Sequence, residues 1–158
     1  MPPVDPPTTG NIFRNRVGII NTDGIGFVEV RHLSDVSISA RAISDDGSKV
    51  IVSTDRNPSD VFTANTDGTN VTFLLSASFI QFTPMQFTAD SSRFVYTSNG
   101  NIFIEDINNP SSSQQITPDG SATDASISGS GTKILFLSTA DITGQNPDGN
   151  FEVFLANV

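Results

Sequence analysis

Apolar residues along this chain come in short runs broken by polar turns, not at the three-to-four spacing of a helix. The runs "VIVS" (50–53), "FVYT" (94–97) and "ILFL" (134–137) each follow a small polar turn that ends in a basic residue. Those turns are "SDDGSK", "TADSSR" and "SGSGTK", closing at Lys49, Arg93 and Lys133. A variable loop follows each run, and then a second apolar segment: "DVFTAN" (60–65), "NIFIED" (101–106) and "EVFLAN" (152–157). Alternation punctuated by turns every 8–12 residues or so predicts short antiparallel strands. Helical periodicity is not sustained over any window of about a dozen residues, so the chain is expected to be all-β.

The pattern is also a repeat. Residues 40–75, 84–117 and 124–158 share it, the basic markers lie 44 and 40 residues apart, and "RVGIINTDGIGFVEV" (16–30) is a shorter earlier copy. A period near 40 with three or four strands per unit is the signature of β-propeller blades, whose sheets bury both faces only against neighbours. The expected division is a Pro-rich leader or linker at 1–9, then repeats at about 10–38, 39–79, 80–121 and 122–158. Twelve Phe against one Tyr and no Trp fit packing between blades.

At these residues the chain resembles the TolB-type, WD-repeat-like propeller repeats. Ser44, Asp46, Gly47, Ser53, Asp67, Gly68 and Leu75 fill that repeat's frame. The next copy departs from it, with Ser91 and Ser92 set against the Asp-Gly pair, and the last has Gly129 to Gly131 there. The resemblance implies a propeller, in a family that usually builds six or more blades. With about 40 residues per blade, 158 residues hold at most four. A closed four-bladed ring, a half-ring that dimerises and a fragment of a longer protein all remain open, the last two being favoured. The last repeat stops at "EVFLANV" without an outer strand, so something is expected to pair with the edge at 151–158, and "NIFRN" (11–15) is a candidate donor.

Composition narrows the function classes. Net charge is −9, and beyond residue 57 ten acids face only Arg93 and Lys133. No basic stripe exists to neutralise phosphates, which argues against nucleic-acid partners. No run of about 18 apolar residues predicts a membrane span. There is no cysteine, which excludes disulfides and thiolate metal sites.

Candidate chemistry is sparse. Asp141, Asn146, Asp148, Asn150 and Glu152 place oxygen donors near Gly149, as calcium loops do. "NPDG" (146–149) equally supplies the residues of a tight turn, and "NTDG" recurs at 21–24 and 65–68. "SGSGTK" fails as a phosphate loop, because Ile134 follows the lysine. His32, near Asp35, is the single histidine, and no Gly-x-Ser-x-Gly elbow accompanies it. Asp45–Asp46 falls in a turn, and Glu105–Asp106 points to opposite faces of a strand. "NVT" (70–72) fits a glycosylation acceptor.

The expectation is a non-enzymatic binding or scaffold module for a protein or polymer partner, or one that self-associates to complete the propeller, in the bacterial periplasm or outside the cell. It needs no cofactor unless calcium binds. The alternatives are a propeller segment of a prolyl-oligopeptidase-like hydrolase and a calcium-dependent carbohydrate- or surface-binding module.

Overall fold

The computed structural model describes residues 15–19, 28–33, 37–80, 85–118 and 120–158. The leader at 1–9, the first "NTDG" and Asp35 lie outside them, and of His32 only the backbone is described. Among the described residues there are thirteen strands and no helix. β1 (Asn15–Ile19) and β2 (Val28–Leu33) form a hairpin. The second blade runs β3 (Ile38–Ile43), β4 (Lys49–Thr54), β5 (Ser59–Asn65) and β6 (Thr72–Ala77) in sequential antiparallel order. The third runs β7 (Gln86–Phe87), β8 (Arg93–Ser98), β9 (Asn101–Asp106) and β10 (Gln114–Gln115). The fourth has three strands, β11 (Ala122–Ile127), β12 (Lys133–Ser138) and β13 (Glu152–Asn157). β3 opens at Ile38, one residue ahead of the expected boundary. Of the proposed strand donor 11–15, only Asn15 is described, and it pairs with Leu33 in the hairpin.

The blades repeat in register as well as in sequence. Lys49↔Asn65, Arg93↔Asp106 and Lys133↔Asn157 open the three central strand pairs. Counting along, Val52↔Phe62, Tyr96↔Phe103 and Phe136↔Phe154 occupy one position, and Ile51↔Thr63, Val95↔Ile104 and Leu135↔Leu155 the one before it. Because side chains alternate across a strand, each blade has a leading face carrying the Phe and a trailing face of aliphatic residues. The core lies where trailing meets leading. Ile51, Val61 and Leu74 of the second blade pack with Met85, Phe87, Phe94 and Tyr96 of the third. Val95, Ile102 and Ile104 of the third pack with Ala122, Ile127, Ile134 and Phe136 of the fourth. Stacked rings at Tyr96–Phe103 and Phe136–Phe154 stiffen the leading faces.

The turn before each central strand is one device built three times. In the second blade the Asp46 carboxylate accepts from the Ser44 hydroxyl at 2.6 Å and from Ser48 N–H at 3.0 Å, while Ser44 Oγ accepts from Lys49 N–H at 2.9 Å. In the third, Asp90 accepts from Thr88 Oγ1 at 2.6 Å and Ser92 N–H at 3.1 Å, and Thr88 Oγ1 accepts from Arg93 N–H at 3.1 Å. The sequence comparison therefore shifts by one residue: Asp90 stands where Asp46 does, and Ser91 where Gly47 does. Ser91 adopts the left-handed φ of +56° that Gly47 (+69°) and Gly131 (+68°) adopt at no steric cost. The fourth turn has Ser130 in the aspartate's place, bonded to Thr132 at 2.9 Å.

A second polar clasp lies inside the third blade. Glu105 is fully buried, and its carboxylate accepts from Ser111 N–H at 2.7 Å, Ser112 N–H at 3.3 Å and the Ser113 hydroxyl. Such bonds satisfy a charge that burial alone strongly disfavours. The loop they fix reaches back to the second blade, where Ser111 Oγ donates to Leu74 O at 3.2 Å. Tyr96 O–H sits 2.8 Å from Ser113 Oγ, and burial pushes its pKa up to about 12.

Two outcomes follow. Hydrogen bonds from Ser44 and Thr88 first, then from the turn's other donors, hold Asp46 and Asp90 down at about 2 against an ordinary 3.8. A folded pKa below the unfolded one gives stability that is whole above about pH 4 and is lost as pH falls toward 2. Denaturant unfolding across that range should therefore be less pH-dependent in Asp46→Asn/Asp90→Asn than in the parent chain. Ser91→Gly should stabilise the fold by roughly 0.5–1 kcal/mol, since a left-handed residue with a Cβ is strained by more than glycine loses in entropy. Urea denaturation measures it.

Candidate binding face

The connections at one end of the blades gather into a single face. β4 runs into β5 through Asp55–Pro58, β8 into β9 through Asn99–Gly100, and β12 into β13 through residues 139–151. The linkers between blades arrive at the same end: Asn99 N–H donates to Phe79 O at 3.4 Å and Thr139 N–H to Ser121 O at 3.3 Å.

At the loop end of the second blade, beside the linker that leaves it, this face opens into a cavity of about 190 Å³. Arg41 reaches it from β3, where the pairing with β4 shifts between Ala40 and Ala42. Such a bulge re-aims one side chain out of the strand's alternation. Its guanidinium donates to Ser53 Oγ through Nε at 2.7 Å and stands 3.9 Å from Asp55. Its side chain is nearly buried, and desolvation lowers its pKa against the opposing pull of Asp55. Arg56 lines the same cavity from an exposed position. Phe79 stands at the rim, exposed, with a φ of +50°. A bulky residue rarely occupies that region, and holding it there costs on the order of 1–3 kcal/mol. Asn57 Oδ1 accepts from Phe79 N–H at 3.2 Å and supports the conformation.

At the corresponding place in the third blade, the β8–β9 turn and the following linker touch. Gly100, at φ +70°, faces Gly120 so closely that a Cβ on it would lie 2.0 Å from the Gly120 carbonyl oxygen. Asn101 Oδ1 ties the two segments by accepting from Gly120 N–H at 2.9 Å.

The loop 139–151 brings four of the five residues expected around calcium into one unit. Asn146 is its buried hub: its N–H donates to Asp141 Oδ1 at 2.8 Å and its Nδ2 to Asn150 O at 2.8 Å. Asp148 accepts from Asn150 Nδ2 at 2.7 Å, and Gly149 N–H returns to Asn146 O at 3.4 Å, closing the "NPDG" turn. Glu152 stands on β13 opposite Ser138, past the end of the loop. Among the described residues, no three His, Cys, Asp or Glu side chains gather as metal ligands. Elsewhere, Asp46 and Asp90 serve their turns, and Glu105 serves its loop. The sequence held no signal for Arg41 or Phe79, because neither a bulge nor a left-handed Phe has a residue pattern.

Blades joined in sequential antiparallel order, packed trailing face on leading face, define this chain as β-propeller repeats. The solved structures it superposes on are propellers of the same kind. TolB from Acinetobacter baumannii matches with a TM-score of 0.60 at 17% identity, over 87% of this chain and 33% of that one. An oligogalacturonate lyase in complex with manganese matches at 0.67 and 16%, over 91% and 41%. The β-propeller domain of the Trilobed protease from Pyrococcus furiosus, described as having an open velcro topology, matches at 0.57 and 16%, over 92% and 49%. The chain thus spans between a third and half of each of these structures. A scan against protein-family models found no match, and neither did a search of curated proteins. Among the described residues no helix is long and apolar enough to cross a membrane.

Because its carboxylates are already engaged within the loop, millimolar calcium should leave the melting temperature of this chain unchanged. A saturable rise that Asp148→Asn removes would instead make residues 141–152 a cation site.

Proposed function

We propose that the chain is a non-catalytic binding module, a run of propeller blades that presents its loop face to an extracytoplasmic protein or polymer. The Arg41–Arg56 cavity takes a carboxylate of that partner. The observation that carries this reading is a nearly buried guanidinium held at the wall of an open cavity. Ion pairs to arginine strengthen where water is excluded, and the planar fork suits a carboxylate. The exposed ring of Phe79 offers an apolar platform for the stem bearing that group.

Among the described residues of the lining, no nucleophile is paired with a base. Ser59 Oγ donates to Arg56 O at 2.6 Å, and among the described residues that line the cavity there is no histidine. That supports binding over chemistry at this place.

The test titrates the chain with oligoglutamate and oligogalacturonate against oligoglutamine and fully methyl-esterified oligogalacturonate. One acidic probe should bind at least tenfold more tightly than its neutral counterpart, a difference of about 1.4 kcal/mol. Arg41→Gln should abolish that preference, and the distant Lys133→Gln should keep it. Equal binding of neutral and acidic probes, or an unchanged preference in Arg41→Gln, overturns the proposal, as does absence of binding at millimolar probe.

A further inference from the structure

The cavity that holds Arg41 also holds a carboxylate of its own. Asp55 is the first residue after β4, and its N–H donates to Ser37 O at 2.9 Å, which fixes the backbone beneath it. Its Oδ1 stands 3.9 Å from Arg41 Nη2, too far for a hydrogen bond yet close enough for attraction. The same oxygen accepts from the Ser39 hydroxyl at 2.8 Å. Ser39 therefore draws on the atom that would otherwise close on the guanidinium. Arg41 does not depend on Asp55 for its place, because Ser53 Oγ accepts from its Nε at 2.7 Å and burial confines the rest. The Asp55 side chain is 34% exposed against 7% for Arg41, so the carboxylate is the more open of the two to an incoming ligand.

We infer that Asp55 sets which anions the cavity accepts, admitting a single carboxylate and rejecting dianions such as sulfate and phosphate monoesters. The inference rests on the reading of this cavity as a carboxylate site. Among the described residues of the lining, the charged groups are Arg41, Arg56 and Asp55. One carboxylate brings that set to neutrality. A dianion leaves an unmatched negative charge beside Asp55, and like charges this close repel strongly where water is partly excluded. Two arginines without such a neighbour would favour the dianion instead, since the guanidinium fork takes tetrahedral oxyanions as well as carboxylates. Ser39 tunes the exclusion. By holding Asp55 back, it keeps the guanidinium from closing into a bidentate pair with its own carboxylate, which would shut the cavity to any other.

The test measures binding of oligoglutamate and oligogalacturonate to the parent chain, Asp55→Asn and Ser39→Ala, with sulfate as competitor at constant ionic strength. Asparagine keeps the Oδ1 acceptor for Ser39 and removes only the charge. Asp55→Asn should bind the acidic probe more tightly than the parent, and sulfate should displace the probe from it about tenfold more effectively. Ser39→Ala frees Asp55 to close on Arg41 and should weaken probe binding several-fold. Should Asp55→Asn lose the circular dichroism of the parent, Asp55→Ser, which also lacks the charge, takes its place. Equal sulfate competition in the parent and the uncharged variant overturns the inference, as does weaker probe binding in that variant. Undiminished probe binding in Ser39→Ala overturns the part assigned to Ser39. Each of these results leaves the carboxylate site itself standing. Failure of both probes to bind either the parent or Asp55→Asn removes the site, and this inference with it.

Discussion

A sheet that is apolar on both faces exists only between two neighbours, and nearly everything else in this molecule answers to that condition. The central strands satisfy it by strict alternation: Phe94 and Tyr96 look one way from β8, Val95 and Thr97 the other, and all four are buried. A slip of one residue in either strand pair would exchange the two faces and set Phe against Phe across each junction. The turns before β4, β8 and β12 prevent that slip. Each fixes where its strand begins through a side-chain oxygen that accepts the first N–H of the strand, at Lys49, Arg93 and Lys133. Local turn chemistry and long-range packing therefore specify one register, the kind of agreement between levels that makes a sequence foldable.

Because that agreement is written in residue patterns, much of the fold was legible. Alternation gave the strands and the basic residue at each turn gave the repeat. The abundance of Phe pointed to packing between blades, and only the strand register shows that Phe62, Phe103 and Phe154 share one face. The misreading at Ser91 has a definite cause. Asp-Ser-Ser offers no glycine to mark the left-handed position, so the aspartate was set one place too early. The loop at 139–151 was readable as a turn because Pro147 and Gly149 announce it. The cavity was not readable. Arg41 reaches it through a shift in strand pairing, and Phe79 through a backbone conformation that its side chain opposes. Both depend on contacts from segments distant in sequence. Glu105 read only as one of two neighbouring carboxylates on opposite faces of a strand, and only the fold shows three serines closing over it.

The two clasps differ in what they guard. Asp46 and Asp90 hold exposed turns through bonds that water competes for, so they set register while leaving the turns accessible. Glu105 works in the interior, where an unmet charge is costly, so its loop is held firmly and the second and third blades are joined through it. Rigidity is thus concentrated along the third blade, which lies between the other two and shares a core cluster with each.

Repetition brings an ambiguity of its own. A surface made of like units offers a long partner several equivalent places to sit, and the partner can slide among them. Gly100 removes one such place from the set by lying against the Gly120 backbone, where a Cβ on Gly100 would not fit. The cavity beside the second blade is then an address. A partner of the kind proposed would find the Arg41 cavity at the second blade and a closed backbone contact at Gly100, and so would have one frame there in which to be read.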